Sequence, residues 1–267
     1  MLAVRDGHME QTEIVVLEWT FSPPDYFEDQ IHLKRDDYSM VIGGGKVEAK
    51  IQPEVYDKNP NMREEIHSAL NDRFLGVQLL MHKPYELSKP SMYRLHPDGR
   101  RDITMFAESG VLKLSTGTVD FIVKDKNGNI ISDSRKDRLE KKKALADLAE
   151  KYRDSDSTTA SLLNSYKAAV NDPNNELVHL YEIRDTLSKK FGGENAACQA
   201  LNISAAQWSR LGQLANNEPL RQGRHRGKNP GALRDATEAE LTEARDITRQ
   251  FVEAFLEYLE RKNAGVV

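Results

Sequence analysis

The chain lacks the features that would place it outside ordinary globular proteins. Its 267 residues include one cysteine, Cys198, which excludes an internal disulfide, and the apolar helical pattern around it predicts a buried, unreactive thiol. No apolar run approaches the roughly 20 residues needed to cross a bilayer, and no signal-peptide pattern opens the chain. These absences predict a cytoplasmic protein with no membrane partner.

The chain also lacks a strong excess of either charge. Its 38 Lys and Arg residues face 42 Asp and Glu residues, for a formal net charge of -4. Because the whole molecule exerts no attraction on nucleic acid, any site for a polyanion must be a local patch. With 39% hydrophobic and 30% charged residues, the composition is that of a soluble globular protein long enough for two domains with a core each.

In the first half of the chain, apolar and polar residues alternate with a period of two. Val15, Leu17, Trp19 and Phe21 follow this pattern, which is typical of half-buried strands. A helix over residues 61–73 is the one exception. Further strands are predicted over 38–42, 46–52, 76–82, 92–95, 103–106, 111–114 and 119–123, with turns at Gly43-Gly44-Gly45, Asp98-Gly99 and Asn127-Gly128.

Near residue 133 the period changes to 3.6, and helices are predicted from there onward. Ser204 and Thr237 each stand three positions before Gln or Glu, which matches a capping box at the start of a helix. We therefore predict an α+β fold, with an antiparallel β-rich domain over 1–133 followed by an all-α helical bundle domain over 134–267. The first domain is a candidate sensor or partner-binding module, whose protein or ligand partner the sequence does not identify.

The last predicted helix has the strongest apolar pattern in the chain. Its apolar residues step by three and four, which predicts packing into a bundle or against a second copy of the chain. The residues of this seam are Ala244, Ile247, Phe251, Ala254 and Tyr258.

Residues 216–235, called the basic loop below, lie between two helical patterns and are interrupted by proline and glycine. Arginine offers a planar, charged fork suited to phosphate, and histidine can transfer a proton near neutral pH. The loop is therefore a candidate site for phosphodiester chemistry or nucleic-acid binding. Alternatively, it is a solvated connector whose arginines cap helix ends and pair with acidic neighbours. Its basic residues are Arg221, Arg224, His225, Arg226, Lys228 and Arg234.

The run Arg221-Gln222-Gly223-Arg224-His225, set among helices from about residue 135 onward, resembles the Arg–His motif of the HEPN superfamily of small helical bundles. Many members are metal-independent ribonucleases of toxin and phage-defence systems. In the family four to six residues separate the two side chains, whereas three separate Arg221 from His225.

The resemblance implies an endoribonuclease or RNA-binding protein that needs no cofactor and no metal. His225 would act as the general base toward a ribose 2′-hydroxyl, and Arg221, helped by Arg224, would stabilise charge on the phosphate. The expected product is a 2′,3′-cyclic phosphate. Family members usually form their cleft between two protomers, so a homodimer through the C-terminal helices is expected. The predicted RNA-binding residues are Arg226, Lys228, Arg234 and Arg210.

Two other functions remain open. Residues 194–215 resemble a helix-turn-helix, with Asn202 where glycine usually permits the turn, so Arg210 and its neighbours on the second helix would contact DNA. Two packed helices joined by a short turn are also a common feature of bundles. The remaining alternative is a non-enzymatic dimeric interaction protein, in which the β-rich domain recognises a partner and the helical domain dimerises.

Overall fold

The computed structural model describes residues 13–104, 122–124, 130–228 and 231–265. Within them an antiparallel sheet in the N-terminal region is followed by helices, which confirms the predicted α+β fold. The strands are β1 (Ile14–Ser22), β2 (Ile31–Lys34), β3 (Tyr38–Gly43), β4 (Lys46–Ile51), β5 (Glu86–Leu87), β6 (Ser91–Leu95), β7 (Arg101–Thr104), β8 (Ile122–Lys124) and β9 (Ile130–Asp133). The α-helices are α1 (Pro53–Lys58), α2 (Met62–Met81), α3 (Ser134–Tyr152), α4 (Ser157–Asn171), α5 (Glu176–Phe191), α6 (Glu194–Leu201), α7 (Ala205–Gly212) and α8 (Glu238–Asn263). The predicted strand over 111–114 and the turn at Asn127-Gly128 lie outside the described residues.

The described residues cluster into two compact units. One contains residues 13–69 and 85–104, and the other contains 70–84, 122–124, 130–228 and 231–265. The change from strand to helix falls where the periodicity predicts it, because β9 ends at Asp133 and α3 begins at Ser134. The division into domains over 1–133 and 134–267 stays a prediction.

The first unit is built on an antiparallel sheet with strand order β2-β3-β4-β1-β6-β7, and β5 pairs with the end of β1. In its register Leu17 faces Ala49 and Trp19 faces Val47, so these buried apolar side chains share one face of the sheet. The β3–β4 hairpin confirms the predicted glycine turn. Gly44 and Gly45 have φ angles of 58° and 78°, which glycine adopts without strain.

The prediction of a strand over residues 76–82 is wrong, because α2 continues without a break from Met62 to Met81. A short apolar run that includes glycine does not distinguish a strand from a buried helix. Here tertiary packing selects the helix: a Cβ on Gly76 would lie 2.6 Å from the carbonyl oxygen of Leu145 in α3. Glycine therefore serves close helix packing at this position.

In the second unit, α5 packs against α4, α6, α7 and α8. Trp208 of α7 stacks on Phe251 of α8, with ring centres 5.2 Å apart, and both side chains are fully buried. None of the helices that the structure describes is long and apolar enough to span a membrane.

The two predicted capping boxes have different outcomes. At Thr237 both reciprocal bonds are present, so the box that opens α8 is confirmed. Ser204 caps α7 by accepting from the backbone N–H of Ala206 at 3.2 Å, whereas the side chain of Gln207 bonds to Gln250 instead. Ser204 is therefore a single-residue cap.

Candidate functional site

Backbone hydrogen bonds join the two ends of the basic loop. The N–H of Arg221 donates to the carbonyl oxygen of Arg234 at 2.9 Å, and the N–H of Arg234 donates to that of Pro219 at 3.0 Å. Leu220, between these bonds, is 1% exposed. The base of the loop is therefore fixed by main-chain pairing and by a buried apolar side chain.

The first turn of the loop is equally constrained. The N–H of Gly223 donates to Leu220 at 3.0 Å, and the N–H of Arg224 donates to the carbonyl oxygen of Ala215 at 2.7 Å. Gly223 is buried, and a Cβ there would lie 2.9 Å from that same oxygen of Ala215. Because only glycine allows this approach, the backbone on the N-terminal side of His225 has a defined course.

Arg221 and His225 are both exposed on this backbone. Neither makes a hydrogen bond, ion pair or ring contact with another described side chain. An arginine fork and an imidazole without internal partners keep their hydrogen-bonding capacity for a molecule outside the chain. These are the two groups that the Arg–His motif assigns to catalysis.

Arg224 is partly engaged by α5. Its Nη1 lies 3.2 Å from a carboxylate oxygen of Asp185, and its Cζ lies 4.3 Å from the ring centre of Tyr181. The side chain remains about one-third exposed. Stacking on an aromatic ring orients the guanidinium, so Arg224 is held in one direction while part of its fork stays open.

Arg226 turns toward the segment between α4 and α5. Its Nε donates to the carbonyl oxygen of Gly223 at 3.0 Å, and its Nη2 donates to that of Asn174 at 3.1 Å and to the side-chain oxygen of Asn175. Lys228 ends a short 3₁₀ turn that begins at Arg226, and the side chain of Lys228 is not described.

Arg234 binds the start of α8. Its guanidinium donates to both carboxylate oxygens of Glu240, at 2.8 and 2.6 Å. These bonds, together with the bonds from Thr237, lower the pKa of Glu240 to about 2. Arg234 therefore pairs with an acidic neighbour at a helix end. This is the behaviour expected if the loop is a solvated connector, the alternative that the sequence left open.

Arg210 lies outside the loop, on α7. It makes a two-pronged bond to Glu243 of α8, at 2.9 and 2.8 Å, which lowers the pKa of that carboxyl. The groove between α7 and α8 is also lined by the carboxylates of Glu238 and Asp246. The structure thus brings Arg221, Arg224, His225 and Arg226 together in one loop and places Arg210 in a separate, acidic groove.

Residues 194–212 do have the shape of a helix-turn-helix. Asn202 adopts the left-handed conformation, with φ 53° and ψ 43°, between α6 and α7, and Leu201 and Leu211 are buried. Ala206, Gln207 and Arg210 of α7, however, line the acidic groove. Negative charge beside the second helix opposes the phosphates that a DNA-binding helix must approach.

Three residues that hold the loop were not identified from the sequence: Tyr181, Asp185 and Asn175. Asp185 lies 39 positions from Arg224, and Asn175 lies 51 positions from Arg226. Each occupies an ordinary position in or beside a helix, and no local motif marks it as a partner of the loop.

Most of the apolar seam of α8 is buried by other parts of the same chain. Ala244 and Phe251 are 0% exposed and Ile247 is 6% exposed. The homodimer through the C-terminal helices stays a prediction, and it would need residues outside this buried part of the seam.

No known protein family, curated protein or solved structure matches the chain. The HEPN resemblance therefore rests on the Arg–His run and its helical context alone.

Proposed function

We propose that the basic loop binds RNA and cleaves it without a metal ion, with His225 as the general base and Arg221 and Arg224 as the groups that stabilise the phosphate. One observation supports this assignment above all. Arg221 and His225 are exposed and have no partner among the described side chains, although the backbone that carries them is fastened at several points.

Unpaired polar side chains on a constrained loop differ from unpaired polar side chains on a flexible surface. Side chains on a defined backbone lose less conformational freedom when they bind, so more of their interaction energy stabilises the complex. Arg226 and Arg234 lie in the same loop and bind partners within the chain. Arg221 and His225 are therefore the pair that an external phosphodiester can engage.

The chemistry uses groups that these side chains supply. His225 accepts the proton of a ribose 2′-hydroxyl, and the resulting oxygen attacks the neighbouring phosphorus. The bond to the 5′-oxygen breaks, and the departing 5′-oxygen takes up a proton from water. Arg221 and Arg224 donate to the non-bridging oxygens, where negative charge grows. The products are a 2′,3′-cyclic phosphate and a 5′-hydroxyl end, so a strand without the 2′-hydroxyl cannot react.

A homodimer belongs to this proposal, because the resemblance places the cleft between two protomers. A second copy would bring a second set of Arg221, Arg224 and His225 to the same RNA. Size-exclusion chromatography with light scattering measures this state, and a monomer at every concentration would remove the dimer from the proposal without removing the loop chemistry.

The test is incubation of the full chain with labelled RNA in EDTA, followed by analysis of the fragment ends. We expect cyclic-phosphate ends from the wild type and a loss of about 10²- to 10⁴-fold in rate for His225→Ala, the usual contribution of a general base. His32→Ala is the matched control, because His32 is also an exposed histidine and lies on β2 of the other unit.

Three results would overturn the proposal. Equal cleavage by the wild type and His225→Ala would exclude His225 as the base, and cleavage of a strand with a 2′-deoxy nucleotide at the reactive position would exclude the 2′-hydroxyl as the nucleophile. Absence of both RNA binding and cleavage would leave the non-enzymatic interaction protein as the better description.

A further inference from the structure

We infer that Arg226 is a positioning residue, which ties the basic loop to the segment between α4 and α5 and thereby orients His225, rather than a residue that contacts RNA. Its catalytic consequence rests on the proposed ribonuclease function. The structural part, that Arg226 holds the loop, stands on geometry alone.

The bonds of Arg226 join two segments that are distant in sequence. One acceptor, the carbonyl oxygen of Gly223, belongs to the loop itself. The others, the carbonyl oxygen of Asn174 and the side-chain oxygen of Asn175, belong to the 3₁₀ turn Pro173–Asn175. A planar guanidinium can bridge such separated acceptors because its donors have fixed directions.

The acceptor on Asn175 is itself held in place. The side-chain amide nitrogen of Asn175 donates to a carboxylate oxygen of Asp172 at 2.7 Å, and its backbone N–H donates to the carbonyl oxygen of Asp172 at 3.0 Å. These bonds fix the orientation of the amide, which leaves its oxygen directed at Arg226. Asp172, Asn175, Arg226 and Gly223 thus form a continuous chain of hydrogen bonds that ends in the loop.

His225 lies between two residues that the fold holds. The N–H of Arg224 is bonded to Ala215, and the side chain of Arg226 is bonded to the 3₁₀ turn. The direction of the His225 side chain follows from the backbone on either side of it. Because Arg226 also bonds to the carbonyl oxygen of Gly223, its release loosens that backbone on both sides of His225. Misplacement of a reacting group by about 1 Å can cost about 10²-fold in rate.

The first experiment does not depend on RNA. Amide hydrogen exchange is measured at Arg221, Gly223 and Arg224, whose N–H groups bond within the loop or to its neighbours. Arg226→Gln and Asn175→Ala are each expected to raise these exchange rates about fivefold, the effect of losing a typical hydrogen bond. Arg100→Gln, which removes an exposed arginine of the other unit, should leave them unchanged. Unchanged exchange in Arg226→Gln would overturn the inference.

The second experiment is a double-mutant cycle on RNA cleavage with Arg226→Gln, Asn175→Ala and the double variant. A positioning role predicts that each single variant lowers kcat by about 10- to 100-fold. It predicts that kcat of the double variant is no lower than that of Arg226→Gln, because both changes break the same interaction. Arg226→Lys should recover part of the loss. The positioning role also predicts that the salt dependence of RNA binding is the same as in the wild type.

Direct phosphate contact predicts a different set of results. Arg226→Gln would then weaken RNA binding and reduce the slope of log affinity against log salt by about 0.7. The size of this effect would be the same whether residue 175 is Asn or Ala. That outcome would overturn the inference while leaving the proposed function intact. If the wild type neither binds nor cleaves RNA, the proposed function fails, and the exchange experiment alone decides the positioning role.

Discussion

Arg73 of α2 and Arg221 of the basic loop carry the same charge in opposite surroundings within one unit. Arg73 is 1% exposed, and its Nη1 lies 2.6 Å from both Asp147 and Glu150. Arg221 is exposed and has no partner among the described side chains. The buried Arg73 is thus paired with carboxylates, whereas Arg221, on a loop whose backbone is fixed, has no such partner. The unmatched group is the one available to an external anion.

Arg226 and Arg234 combine features of Arg73 and Arg221. Both lie in the basic loop, yet their guanidinium groups bind acceptors of the α4–α5 segment and of α8. Proximity in sequence therefore does not define the candidate site. Four experiments test the contrast between matched and unmatched charge.

The largest effect is expected at Arg73. Arg73→Ala removes a buried side chain and leaves Asp147 and Glu150 without this partner, so we expect the free energy of unfolding to fall by about 3 kcal/mol. Arg73→Met keeps most of the volume and should cost less. Urea denaturation followed by circular dichroism measures both. A loss below about 1 kcal/mol for Arg73→Ala would show that the matched charge is not needed for stability.

Asp72 gives the next largest effect, through pH. Burial raises its pKa from 3.8 to about 6, even though Arg153 bonds to it at 2.6 Å. Because the folded-state pKa lies above the unfolded value, the contribution of Asp72 to stability is full below about pH 4 and is lost as the pH rises through about 6. The rise in pKa sets an upper limit of about 3 kcal/mol on this loss.

Denaturation of the wild type and Asp72→Asn at closely spaced pH values between 4 and 6 checks this sign. The wild type should lose stability relative to the variant across the window. A parallel pH dependence of the two proteins would show that Asp72 does not titrate there.

Glu240 should show the opposite sign. Its pKa is lowered from 4.5 to about 2, first by the hydrogen bonds from Arg234. The stability that it contributes is therefore present above about pH 4.5 and lost as the pH falls through about 2. Glu240→Gln should reduce the loss of stability at acid pH. At neutral pH it should lower the free energy of unfolding by about 1 kcal/mol, the usual value of a helix cap. Thermal unfolding between pH 2 and 6 measures both effects. If the variant lost as much stability at acid pH as the wild type, Glu240 would not be the group responsible.

The smallest effect on stability is expected at Arg221. Arg221→Ala removes no hydrogen bond, ion pair or ring contact with a described side chain, so the free energy of unfolding should change by less than about 0.5 kcal/mol. RNA cleavage should nevertheless fall. A substantial drop in Tm would show that Arg221 is matched inside the chain after all, and the contrast with Arg73 would fail.

Local features of the fold were predictable from the sequence because their causes are local. The hairpin at Gly44 and Gly45 needs two positive φ angles, and the capping box at Thr237 needs a partner three residues on. The helix over residues 76–81 was not predictable in this way, since the packing of Gly76 on α3 decided it. A pattern of about six residues carries no information on that contact.

The sequence by itself determined the α+β order of elements, the place where strands give way to helices, and the concentration of arginine and histidine in residues 216–235. Tertiary structure alone decided which of those side chains are free. The partners that engage Arg224 and Arg226 are Asp185 and Asn175, which lie 39 and 51 positions away along the chain. Charge is a property of the residue, whereas its neutralisation depends on contacts that form only when the helices pack.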